Sequence, residues 1–157
     1  MHVKCIREFS TSPPRVRGRG WEGARRCYLM TGTSIEDAWR QREFAPAPGT
    51  RVCKVDDIAD GAAREFFFGE GREVFRLLVL RSGERLRAYV NFCPHFSLPL
   101  NSEPDKFLLF GGRIYCANHT AAFRIEDGYC EDGPCTGDWL EPVPLAVEQG
   151  VVKIGTT

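Results

Sequence analysis

Two short segments constrain this chain more than any other feature: Cys93-Pro94-His95 and Cys116-Ala117-Asn118-His119. Each holds one cysteine and one histidine two or three residues apart, and each falls at the end of a run with strand-like composition. A thiol and an imidazole so spaced on a tight loop can both turn toward one metal centre. The fold must therefore bring together two loops separated by the 20 residues between His95 and Cys116. The chain has only three histidines, and two of them lie here. A lone cysteine is usually a small buried hydrophobe and a lone histidine a hydrogen-bonded core residue. That explanation is poor for four such residues in a paired pattern.

The surroundings read as antiparallel β structure. After Thr50 come short β-like runs at Arg51–Val55, Arg64–Phe68, Val74–Arg81, Arg85–Phe92, Phe107–Phe110, Arg113–Tyr115, Ala122–Ile125 and Val151–Ile154. Turn signals stand where strands should reverse, at Ser82-Gly83, Gly111-Gly112, Asp127-Gly128 and Gln149-Gly150. Before this region, Ser34 and Asp37 have capping-box-like spacing, and Ile35, Ala38 and Trp39 share one helical face, which predicts a helix over 34–44 stopped by Pro46. The Ala-Pro-Gly alternation of 45–49 marks a linker. The expected division is thus a basic arm over 1–33, a short helix and linker over 34–49, and a domain over 50–157.

The first 27 residues carry seven basic and two acidic side chains and no apolar periodicity. Three readings stand open: a disordered or extended arm, an organelle-targeting segment, or a start-site artefact with translation beginning at Met30. Residues 46–157 are acidic, net −4, which suits a basic redox partner or serves only solubility. Nothing in this charge pattern points to nucleic acid. No apolar run approaches the roughly 18 residues of a membrane helix, so no membrane span is expected, nor an apolar secretory leader. Seven cysteines without such a leader make a complete disulfide framework a poor explanation and metal binding a better one. Cys53 reads as core, Cys5 and Cys27 have no assignable partner, and Cys130 and Cys135 read as buried free thiols or a local disulfide.

The pattern C-x-H, then C-x-x-H, resembles the Rieske iron–sulfur domain over about residues 50–155. Val90-Asn91-Phe92, Gly112-Arg113-Ile114, Phe123, Asp127-Gly128 and Gly133-Pro134 carry the likeness further. The resemblance implies an all-β, Rieske-type fold: an antiparallel sandwich or barrel base with a smaller cluster-binding subdomain, plus the short N-terminal helix. It implies one 2Fe-2S cluster, with Cys93 and Cys116 on one iron and His95 and His119 on the other, the latter being the iron reduced in this family. Gly133-Pro134 matches a third loop covering the cluster, with Pro134 as apolar shielding; Phe96, Leu98, Pro99 and Leu100 are either a rim around it or core filling. The spacing between ligand pairs is long, so residues 101–106 are expected to form a surface excursion. The disulfide joining the ligand loops of respiratory-complex Rieske proteins is missing, which disfavours that subfamily.

The function implied is a stand-alone, low-potential Rieske ferredoxin-like carrier, monomeric and cytoplasmic, with no catalytic site of its own, taking one electron from a reductase and passing it to an oxygenase or similar acceptor. With His95 and His119 committed, only His2 remains, too few for the mononuclear iron of a terminal oxygenase. Two alternatives are a small Rieske-like subunit of a reductase such as nitrite reductase, and an interaction module holding one structural zinc on the same four residues.

Overall fold

One strand organises the molecule because it is apolar on both faces. In the computed structural model, which describes residues 34–71 and 73–156, this strand is β3 (Glu73–Ser82), and its Leu77, Leu78, Val79 and Leu80 are all buried. Successive side chains on a strand point to opposite faces, so Leu78 and Leu80 enter one core while Phe75, Leu77 and Val79 enter another. Burying each such side chain contributes about 1.5–3 kcal/mol. The arm expected over 1–33, with His2, Cys5, Cys27 and Met30, lies outside the described residues.

β3 is the centre of an antiparallel sheet with β2 (Ala63–Glu70) and β4 (Arg85–Val90). A second sheet, in the order β1 (Arg51–Lys54), β10 (Val151–Ile154), β9 (Leu145–Glu148), covers one face. Between them lies a core that includes Cys53, Phe75, Leu77, Val152 and Ile154, so Cys53 is a core residue as expected. The third sheet runs β5 (Leu108–Phe110), β6 (Arg113–Tyr115), β7 (Ala122–Arg124), β8 (Cys130–Asp132). Its Ile114 and Phe123 share the opposite core with Leu78, Leu80 and Tyr89. The expected base and smaller subdomain are therefore both present.

All eight expected strands form. β8 and β9 are additional, for reasons of pairing rather than composition: Cys130 and Asp132 pair with β7, and Leu145–Glu148 pairs in register with Ile154–Val151. The Gly111-Gly112 and Gln149-Gly150 turns have positive φ at both residues, the two-residue hairpin geometry that matches strand twist.

The helix is shorter than expected. α1 spans Ile35–Ala38 and passes into a 3-10 turn at Trp39–Gln41. The Ser34 hydroxyl is spent on the Asp37 carboxylate rather than on a backbone N–H, so no capping box forms. Arg42 is already extended, with φ −76° and ψ 147°, so helical geometry ends well before Pro46. Trp39 is nonetheless buried in the second core against Phe75, and Arg42 holds Glu141 through two 2.8 Å hydrogen bonds. Among the described residues no helix is long and apolar enough to cross a membrane.

Candidate metal centre

The two Cys/His loops are built on the same backbone plan. In the first, the Cys93 N–H donates to the Leu98 carbonyl at 2.7 Å and the Ser97 N–H donates to the Cys93 carbonyl at 2.8 Å. In the second, the Cys116 N–H donates to the Ala121 carbonyl at 2.8 Å and the Thr120 N–H to the Cys116 carbonyl at 3.0 Å. Each cysteine thus bonds the residues four and five positions on. The fourth position is left-handed in both loops, with φ 54° at Ser97 and 57° at Thr120. Neither is glycine, which is why sequence alone did not show the repeat. Ala117 N–H to the Leu100 carbonyl and Asn118 Nδ2 to the Pro99 carbonyl then join the loops to each other.

All four sequence-predicted residues come together. The Cys93 and Cys116 thiols are both buried and close enough for Cys116 to raise the Cys93 pKa, and the Cys135 thiol adjoins Cys93 as well. The His95 and His119 rings stand edge to face, centroids 4.8 Å apart. His119 Nδ1 faces Cys116 Sγ at 4.0 Å, and His95 Nδ1 is buried with no hydrogen-bond partner. A buried ring nitrogen left unpaired is costly unless something else takes its lone pair.

Burial pushes the Cys93 thiol up to about 12; the His95 backbone N–H opposes the rise, and the neighbouring Cys116 and Cys135 thiols add to it. Such a thiol stays protonated at neutral pH unless a metal cation deprotonates it. Among the described residues no three His, Cys, Asp or Glu side chains converge closely enough to hold a single ion. A two-iron cluster asks for less, since each iron takes only two protein ligands. A thiol pair beside an imidazole pair, with one imidazole nitrogen unpartnered, fits that demand.

The surroundings separate rim from core. Leu100 is fully buried and belongs to the core, whereas Leu98 is exposed and Phe96 is 64% exposed. The Phe96 ring lies 4.0 Å from His95 and 5.2 Å from His119 by centroid, so it caps both imidazoles. In the third loop Pro134 is exposed, and contact with the second ligand loop comes from Gly133 instead: a Cβ there would lie 2.7 Å from Ala121 Cα. Cys130 and Cys135 are free buried thiols with their sulfurs 3.1 Å apart, and burial raises both, Cys135 to about 12.

A buried polar group beside the first ligand loop was missed by sequence reasoning. The Glu65 side chain, on β2, is fully buried. Its carboxylate accepts from Arg76 Nε at 2.6 Å and Nη2 at 3.1 Å, from Asn91 Nδ2 at 2.7 Å and from Asn101 Nδ2 at 3.0 Å. Burial would raise its pKa, but the bonds from Arg76, Asn101 and Asn91 outweigh that and hold it below the usual glutamate value. The available signal was the alternation of β2, which places Glu65 on the inward face with Ala63.

The chain is also similar to known proteins. The Rieske [2Fe-2S] domain family matches residues 49–149. The ferredoxin component of the alkene monooxygenase system of Xanthobacter autotrophicus is 39% identical over 105 residues, 67% of this chain and 79% of that protein. Apoptosis-inducing factor 3 of Homo sapiens is 33% identical over 155 residues, covering 90% of this chain; the chain spans only 24% of that relative's length. Among solved structures, a complex of reduced oxygenase and oxidized ferredoxin in carbazole 1,9a-dioxygenase contains a chain with TM-score 0.55 and 27% identity, 67% of this chain matching 90% of that one.

Proposed function

Since the chain belongs to the Rieske [2Fe-2S] domain family, we propose that it carries one 2Fe-2S cluster on Cys93, His95, Cys116 and His119 and moves single electrons between redox proteins. The observation that carries this reading is the sorting of donors into a thiol pair and an imidazole pair, with His95 Nδ1 buried and unpartnered. When bound, the cluster supplies a one-electron couple and nothing else. The protein's own residues do the rest. The matched loops aim the donors, the core under Cys93 and Cys116 excludes water from the thiol side, and half-exposed His95 and His119 leave the imidazole side close to a partner.

The ferredoxins of the alkene monooxygenase and carbazole dioxygenase systems support an oxygenase as acceptor, and a reductase is the donor we propose with it. Trp39 is part of the second core, which supports residues 34–49 packing as one unit with the domain that follows; the chain is proposed to act as a monomer. Five described cysteines, all free, fit a reducing compartment such as the cytoplasm. A single tetrahedral zinc would need all four donors around one point, whereas among the described residues no three His, Cys, Asp or Glu side chains converge that closely. The deciding experiment is a reductive titration of the purified protein with iron and acid-labile sulfide assays. Two irons, two sulfides and one electron taken up per chain are expected; a colourless protein with one zinc overturns the proposal.

A further inference from the structure

We propose that Glu65 is a positioning residue for the metal centre: its carboxylate ties both ends of the first ligand loop to the base sheet, and the excursion over 101–106 completes the tie. This rests on the cluster reading above and gives that site its mechanical support.

The geometry is that of a clamp. Asn91 stands two residues before Cys93 and Asn101 six residues after His95, so the segment between them contains the whole first ligand loop. Both amides donate to Glu65, and Asn91 Nδ2 also donates to Asn101 Oδ1 at 2.7 Å, closing the loop at its base. The Leu100 N–H donates to Asn91 Oδ1 at 3.0 Å, and the Asn91 N–H donates to the Arg76 carbonyl on β3 at 2.8 Å. The excursion supplies the last contacts. Asp105 Oδ1 accepts the Glu65 N–H at 2.7 Å, and Asn101 Nδ2 also donates to the Glu103 carbonyl at 2.9 Å.

From there the restraint passes to the second ligand loop, because Leu100 and Pro99 offer their carbonyls to Ala117 and Asn118. One buried carboxylate therefore orients all four donors through backbone that it anchors. A fully satisfied buried polar network specifies a single arrangement, and a partly satisfied one does not. Outer groups that orient ligands are worth about 10–100-fold in metal affinity in other sites. No disulfide joins the two loops among the described residues, so the clamp does the work a covalent link would do.

The test compares wild-type protein, Glu65→Gln and, as a control for plain destabilisation, Ile58→Val in the other core. Iron release to a chelator is timed well below each melting temperature, and the EPR line shape of the reduced protein is recorded. Glu65→Gln keeps the side chain's size but turns one acceptor into a donor facing donors. At least about a 10-fold faster release with broadened EPR lines is expected, the lower end of the range for outer groups, while Ile58→Val stays within about twofold of wild type. Release within twofold of wild type in Glu65→Gln, or equal acceleration in Ile58→Val, overturns the clamp and leaves the cluster reading standing. If Glu65→Gln yields no folded protein, Asn101→Ala decides by the same criteria. A wild-type protein without iron or colour overturns the cluster reading, and the clamp with it.

Discussion

Replacing Gly133 by alanine tests whether the third loop really presses on the second ligand loop. Two costs add. At φ +98° an L side chain is strained by about 1–2 kcal/mol. The new Cβ would also lie 2.7 Å from Ala121 Cα, 3.1 Å from its Cβ and 3.2 Å from its N. Comfortable carbon contacts begin near about 3.5 Å, and backbone cannot swing aside, so overpacking costs a further ~1–3 kcal/mol. The sum is about 2–5 kcal/mol, a large share of the roughly 5–15 kcal/mol that keeps a typical domain folded. Ala121 also accepts the Cys116 N–H, so pushing it away disturbs a proposed ligand directly. Gly137 is the natural control, because its φ is +96° but a Cβ there meets nothing within 4 Å. Scanning calorimetry at a fixed rate, with iron content measured alongside, should show Gly137→Ala losing only the backbone share and Gly133→Ala at least about twice as much, with partial loss of iron. Equal losses in the two variants would refute the contact.

Ala121 and Phe123 are fully buried beside the second ligand loop and carry no hydroxyl, and the Thr120 hydroxyl is turned to the His119 carbonyl at 2.7 Å. Voltammetry should therefore give a potential near the low end of the roughly −150 to +300 mV Rieske range, and Ala121→Ser with Phe123→Tyr should raise it; a wild-type value well above zero contradicts this. Cys130→Ser and Cys135→Ser should keep full iron and an unchanged visible spectrum, and loss of iron in either would put the wrong cysteines at the metal. The Glu65 carboxylate is held below its ordinary value of 4.5 in the folded state, so its stabilisation is complete above that value and is lost as pH falls through the lower folded-state pKa. The groups facing it are Arg76 on β3 and the neutral amides of Asn91 and Asn101, with Asp105 on its backbone N–H. The gap in melting temperature between wild type and Glu65→Gln should narrow over that acid range; a gap that stays constant would show that Glu65 does not ionise differently on folding.

Much of the architecture was legible because it rests on local signals. The polar and apolar alternation of Arg85-Leu86-Arg87-Ala88, the doubly apolar run of β3 and the Gly111-Gly112 turn each declare themselves within a few residues. β8 did not, because Cys130-Glu131-Asp132 has no apolar alternation and is a strand only through pairing with β7. β9 follows Pro142 and Pro144, whose punctuation hid it, although the turn that joins it to β10 was readable. The four proposed ligands were legible from residue type and spacing. Their support was not: Glu65 meets Asn91 and Asn101 across 26 and 36 residues. Such contacts carry no periodicity.

Pulsed EPR of the reduced protein grown with 15N-histidine decides whether one metal centre takes two thiolates and two imidazoles from this chain. The iron bearing the histidines is the one reduced in this family, so the unpaired electron should couple to two inequivalent imidazole nitrogens, from His95 and His119. Cys93→Ser and Cys116→Ser should abolish the signal, since each removes a thiolate that holds the cluster. A reduced 2Fe-2S signal with no 15N coupling would place the cluster on cysteines alone and remove His95 and His119 from the metal centre.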